Sequence, residues 1–148
     1  MKIPFLLGRL VFGGYFIMSG LNHFKEREQM KQYAAAKGVP MPELAVTGTG
    51  AVMMLGGASI LLGIKPKWGA AAIMGFLAGV SPIMHNFWAI EDPQQRQNDM
   101  INFTKNMALV GAGMSLMGVE EPWPASVPVA QPDDVRSNVR RMTGKIAA

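Results

Sequence analysis

Apolar residues along this chain fall into four long blocks separated by short polar connections. The first runs from about Pro4 to Phe24 and holds one fixed charge, Arg9. The second, Leu44 to Ile64, and the third, Trp68 to Ile90, hold none. The fourth, about Phe103 to Val119, is the shortest and has Lys105 near its start. A bilayer crossing takes about 20 predominantly apolar residues per helix, so the pattern predicts four transmembrane helices. A water-soluble bundle would show polar faces at helical spacing, and the second and third blocks show none. The first block is longer than a signal-peptide core, Arg9 interrupts it, and the small-residue run Ala34 to Ala36 lies far downstream. It reads as a retained span.

The connections predict the topology. Lys25 to Glu43 mixes both charges and ends in Gly38-Val-Pro40-Met-Pro42, a turn that delivers the chain into the second span. Lys65-Pro66-Lys67 forces a tight hairpin, and Glu91 to Asn102 is net acidic. The result is an all-α, up-down-up-down four-helix membrane bundle over residues 1–119, followed by a tail over 120–148. Within the tail, Trp123 suits an interfacial anchor and residues 124–132 are Pro-rich and extended or disordered. From Asp133, Val135, Val139, Met142 and Ile146 recur at helical spacing beside Arg136, Arg140, Arg141 and Lys145. That pattern fits a basic amphipathic helix on an anionic leaflet, or a solvated tail.

Composition narrows the class. Of 148 residues, 49% are apolar and 16% charged, against roughly 25% charged in soluble proteins. A mean hydropathy of +0.18 matches apolar blocks diluted by polar connections. With no cysteine, thiol chemistry, Cys-ligated zinc and Cys-ligated iron–sulfur clusters are excluded. There is no Walker loop, dinucleotide fingerprint or metalloprotease motif. The net charge of +4 sits in the loops and tail, which fits membrane topology rather than nucleic-acid binding. Lys2, Arg9, Lys65, Lys67 and the four tail cations lie on one side of the predicted bundle. Lys25, Arg27, Lys31, Lys37, Arg96 and Lys105 lie on the other, interleaved with acids. The positive-inside rule then puts both termini in the cytoplasm of a plasma (bacterial inner) membrane.

Lipid provides no hydrophobic drive for helix association, so small residues mark candidate contacts. These are Gly13, Gly14, Ser19 and Gly20 in span one and Gly56, Gly57, Ala58 and Gly63 in span two. Span three offers Ala71, Gly75 and Gly79, and span four Ala108, Gly111, Ala112, Gly113 and Ser115. Many methionines line the spans, Met53, Met54, Met74, Met84, Met107, Met114 and Met117 among them, and read as adaptable filler.

Ionisable and amide side chains inside spans are costly, and each is a functional candidate. Arg9 is close enough to the cytoplasmic interface to snorkel. Asn22, His23, His85, Asn86, Lys105 and Asn106 fall at one depth near the outer leaflet, with Phe24, Phe87 and Trp88 beside them. Such a set can hydrogen-bond the oxygens of a quinone, with the aromatics flanking its ring. Two imidazoles can also ligate haem iron, on the thinner signal of two histidines without an attachment motif, or relay protons. An interfacial polar belt is the plain alternative. The residues suggest no metal site.

Arg9, Gly13-Gly14 and Ser19-Gly20-Leu21-Asn22-His23-Phe24 resemble the opening span of the DoxX family. Gly56-Gly57 and Leu62-Gly63-Ile64 with its basic hairpin resemble the second span. The most specific marks are His85-Asn86-Phe87-Trp88 and Phe103-Thr104-Lys105-Asn106-Met107-Ala108-Leu109-Val110-Gly111. The resemblance covers residues 4–119. It implies a small four-span membrane protein of bacteria or archaea. Some relatives are subunits of a thiosulfate:quinone oxidoreductase, and others belong to membrane complexes that handle oxidative and thiol stress. Many members carry an acid early in span two, where this chain has Thr47-Gly48-Thr49-Gly50-Ala51 and its nearest acid is Glu43.

Three functions follow as expectations. The first is an accessory subunit of a quinone-linked redox system, not catalytic alone, with a membrane or periplasmic oxidoreductase partner. The second is a small-molecule or lipid transporter with Arg9 as inner counter-charge. The third is a structural anchor for a partner enzyme. Homo-oligomerisation is open.

Overall fold

The computed structural model describes residues 2–128, and the amphipathic segment expected from Asp133 lies outside them. The elements are five α-helices, α1 (Lys2–Lys25), α2 (Arg27–Ala36), α3 (Pro42–Leu62), α4 (Pro66–Met84) and α5 (Pro93–Met117). A single 3-10 turn, Phe87–Ala89, precedes α5. Among the described residues there is no strand. Helices α1, α3, α4 and α5 form the expected up-down-up-down bundle, with α3 between α1 and α4, and α5 against α4 and meeting α1 through Phe12. Ile3–Lys25, Pro42–Leu62 and Pro66–Ala89 are long and apolar enough to cross a membrane. The apolar part of α5 is shorter, because Gln94 to Asp99 at its start are all polar.

Local chemistry accounts for the boundaries. Pro42, Pro66 and Pro93 each open a helix, where the missing N–H costs nothing. The α3–α4 hairpin turns through Gly63, at φ +69°, and Lys65, at φ +46°. Gly63 is required twice over, since its backbone is left-handed and a Cβ would run into Ser126. Asp92 caps α5 by accepting the Gln95 N–H at 2.7 Å. That cap starts α5 ten residues ahead of the apolar stretch that begins at Phe103. Pro82, inside the last turn of α4, has no N–H for the preceding turn, and α4 stops at Met84, short of Ile90. The 3-10 turn then packs on α5 through Phe87, Trp88 and Phe103, with ring centroids 5.1–5.9 Å apart.

Two segments differ from the sequence pattern. The first connection contains a helix, α2, which packs against α3 and α1 with Ala34 buried. Its outer face is solvated. There Lys31 bonds Glu28, which holds the carboxyl below its ordinary range and the ammonium above. Trp123 is not an interfacial anchor but part of the core, 2% exposed, edge-on to Phe5 at 5.3 Å. The chain after α5 folds back onto the bundle end. There Val127 N–H bonds Leu62 O at 2.8 Å.

Backbone contact at glycines sets the helix spacing. A Cβ on Gly57 would lie 2.6 Å from Gly13 O, and one on Gly20 would lie 2.6 Å from Gly50 O. A Cβ on Gly69 would lie 2.7 Å from Gly56 O. These pairs clamp α1 to α3 at two levels and α3 to α4 at one. Gly75 and Gly79 of α4, expected as contacts, face open space. Around the clamps lies a core of Phe12, Phe16, Met53, Ile60, Ala70, Ile73, Leu77 and Trp123.

Gly20→Ala and Gly57→Ala are therefore expected to lower stability by about 1–3 kcal/mol, the usual cost of overpacking. Gly75→Ala and Gly79→Ala should be neutral, or raise it by up to about 1 kcal/mol through helix propensity. Thermal unfolding of the four variants in detergent micelles checks this, and equal effects in both pairs would contradict the assignment.

Candidate functional site

The end of the bundle that carries α2 holds a half-open cavity of about 320 Å³. Its walls come from every helix of the bundle. Tyr15, Phe16, Ser19 and His23 line it from α1, and Met30, Tyr33 and Ala34 from α2. Val46, Thr49 and Met53 come from α3, Phe76, Leu77, Val80 and Met84 from α4, His85 from the cap of α4, and Asn106 from α5. Most of the lining is apolar, and a few polar groups converge on one region, the usual build of a small-molecule pocket.

Several of the polar groups are held. His23 sits at the close approach of α1 to α3, its Cβ beside Gly50, and its Nδ1 lies 2.9 Å from Ser19 O. His85 Nδ1 lies 3.2 Å from Asp99 Oδ1, and Lys37 Nζ lies 3.3 Å from Asp99 Oδ2. Asp99 is only 7% exposed, so a buried carboxylate links α5, the cap of α4 and the end of α2. Ser81, fully buried, donates to Leu77 O at 2.5 Å and accepts from Asn106 Nδ2 at 3.0 Å. Thr49 donates to Ala45 O at 2.7 Å. No buried side-chain nitrogen or oxygen among the described residues lacks a partner, as a low-dielectric site requires.

Of the residues expected at this depth, His23, His85 and Asn106 share the cavity. Asn22 is exposed on another face of α1. Lys105 is exposed and donates to Asn102 Oδ1 at 2.9 Å. Asn86 is half-buried at the start of the 3-10 turn and does not line the cavity. Asp99 and Lys37 were not singled out in the sequence, because both fall in stretches that read as connections. A signal for each was present. Asp92-Pro93 announces an early start to α5, which puts Asp99 two turns before Asn106 on one face. Met30, Tyr33, Ala34 and Lys37 follow the spacing of an amphipathic helix.

Arg9 lies at the opposite end, 4% exposed, and is not a cavity residue. Instead of reaching into water, its guanidinium donates to Leu61 O at 2.6 Å, Pro124 O at 2.6 Å and Ala125 O at 3.2 Å. The Trp123 ring lies beneath it, 5.9 Å from centroid to Cζ. Leu61 is in the last turn of α3, where free carbonyls and the helix dipole favour a cation. Arg9 thus joins α1, the end of α3 and the segment after α5.

The DoxX family model matches residues 5–86, more than half of the chain, taking in α1 to α4 and His85. The match stops short of α5, and with it of Asp99 and Asn106. No curated protein and no solved structure matches the chain.

Replacing Arg9 with Leu strips three carbonyls of their donor, and charged hydrogen bonds are worth about 1.5–3 kcal/mol each. The expected result is a stability loss of at least about 2 kcal/mol, with the segment after α5 released. In a Trp68→Phe, Trp88→Phe background, the Trp123 emission should shift to the red. An unshifted spectrum would mean the segment holds without Arg9.

Proposed function

The chain belongs to the DoxX family, and from that premise we propose that it holds a quinone-type ring for a membrane redox system, as an accessory subunit not catalytic alone. The observation that carries this reading is the convergence of His23, His85 and Asn106 from three elements on one apolar cavity. Flat ring ligands need large apolar contact and a few fixed polar groups at the ring oxygens. Phe16, Phe76, Met53 and Met84 supply the first, and the two imidazoles and the amide supply the second. At about 320 Å³ the cavity is at the small end of ligand pockets, which suits a one- or two-ring headgroup better than a tetrapyrrole.

With no cysteine in the chain, electrons reach or leave such a ring through a partner oxidoreductase. The Lys and Arg distribution orients both termini to the cytoplasm of a bacterial inner membrane, so the cavity lies toward the outer leaflet. A periplasmic or membrane-embedded partner is then the one that meets it. Asp99 supplies, from α5, the carboxylate that the second span lacks.

Protein purified from its native membrane in mild detergent should carry quinone, or a stoichiometric oxidoreductase. The double variant His23→Ala, His85→Ala should insert normally and bind decylubiquinone at least about tenfold more weakly, as expected from losing two ring contacts. Unchanged affinity in the inserted double variant would overturn the site.

A further inference from the structure

We propose that this cavity selects the reduced, hydroxyl-bearing form of its ring, a hydroquinone, over the quinone. The inference rests on the reading of the cavity as a quinone-type site and follows from which protons the two imidazoles must carry. The atom opposite His23 Nδ1 is a backbone carbonyl oxygen, Ser19 O at 2.9 Å. A carbonyl only accepts, so Nδ1 carries the proton. The atom opposite His85 Nδ1 is Asp99 Oδ1 at 3.2 Å. Lys37, which has donors only, takes the other carboxylate oxygen, and Oδ1 is left to accept from the ring. An imidazole that carries only this one proton has its remaining nitrogen, Nε2, as a bare acceptor. Neither Nε2 has a partner among the described residues.

A quinone offers carbonyl oxygens, which would meet these nitrogens lone pair to lone pair. A hydroquinone offers an O–H to each. The other polar groups do not reverse the preference. The hydroxyls of Tyr15, Ser19 and Tyr33 act in either direction, and Thr49 is turned to its own helix. Asn106 gives one N–H to Ser81 and keeps both an N–H and its carbonyl oxygen. A site built to receive a hydroxyl rejects an analogue without one, because acceptors that the bound ring covers then go unpaired.

The test compares duroquinol with duroquinone, titrated anaerobically into the full chain in lipid nanodiscs. Duroquinol is expected to bind at least about tenfold more tightly. Asp99→Asn refines it. Lys37 would hold the amide oxygen, so the amide N–H faces His85, the proton moves to Nε2, and the duroquinol preference should fall toward parity. Equal binding of the two forms by the unmodified protein, or tighter duroquinone, would overturn the inference while leaving a ring site in place. Binding of neither would overturn the ring site as well. A full duroquinol preference in folded Asp99→Asn would overturn the role given to His85.

Discussion

Direct backbone contact between α1, α3 and α4 is the constraint on which the rest of this structure depends. In lipid, apolar side chains gain nothing by leaving their solvent for one another, so helices associate by close approach. The approach occurs where Gly13 meets Gly57, Gly20 meets Gly50, and Gly56 meets Gly69. Three helices are thereby held rigidly, with α5 added against α4 and the gap toward α1 filled by Phe12 and Met74 at Gly113. The Gly20–Gly50 clamp also places His23, whose Cβ rests on Gly50. The packing device and the candidate site thus share residues.

The two ends of the bundle solve the same electrostatic problem in different ways. A buried charge must be paired or fully hydrogen-bonded. Arg9 is surrounded by carbonyl oxygens at a helix C-terminus, an arrangement with no titrating partner among the described residues. It binds the segment after α5 to the bundle and has structural consequences. The other end uses a carboxylate between an ammonium and an imidazole. There the charges are tied to a ring whose second nitrogen is free to meet a ligand. Position alone makes both sets conspicuous in a membrane protein, and only their partners separate the structural one from the chemical one.

The cavity exists because two segments that look like connections are helical. Helix α2 lies over the end of the bundle, and the polar first turns of α5 extend past the membrane-spanning part. Between them they partly enclose a volume that four bare spans would leave open, and they bring Lys37 and Asp99 to His85. The polar network sets an acceptor against Nδ1 of each imidazole and so favours one tautomer of each.

The first three apolar helices, the hairpin at Lys65-Pro66 and the placing of both histidines at one end of the bundle were legible in the sequence. Hydropathy sums over consecutive residues, and depth follows from counting 1.5 Å per residue along an axis. Rotation about that axis follows no such count. Asn22 and His23 are neighbours, yet one faces out and the other into the cavity. Lys105 and Asn106 divide the same way. Gly75 and Gly79 have the spacing of a packing stripe and touch nothing, while Gly20 and Gly50 carry the contact. Which face of a helix meets a partner is decided by the fit of that helix to its neighbours, a property no single segment contains. The sequence by itself therefore determined where the apolar helices lie along the chain and at which end of the bundle the histidines sit. Tertiary packing alone decided which of those groups converge, and so which chemistry the site can perform.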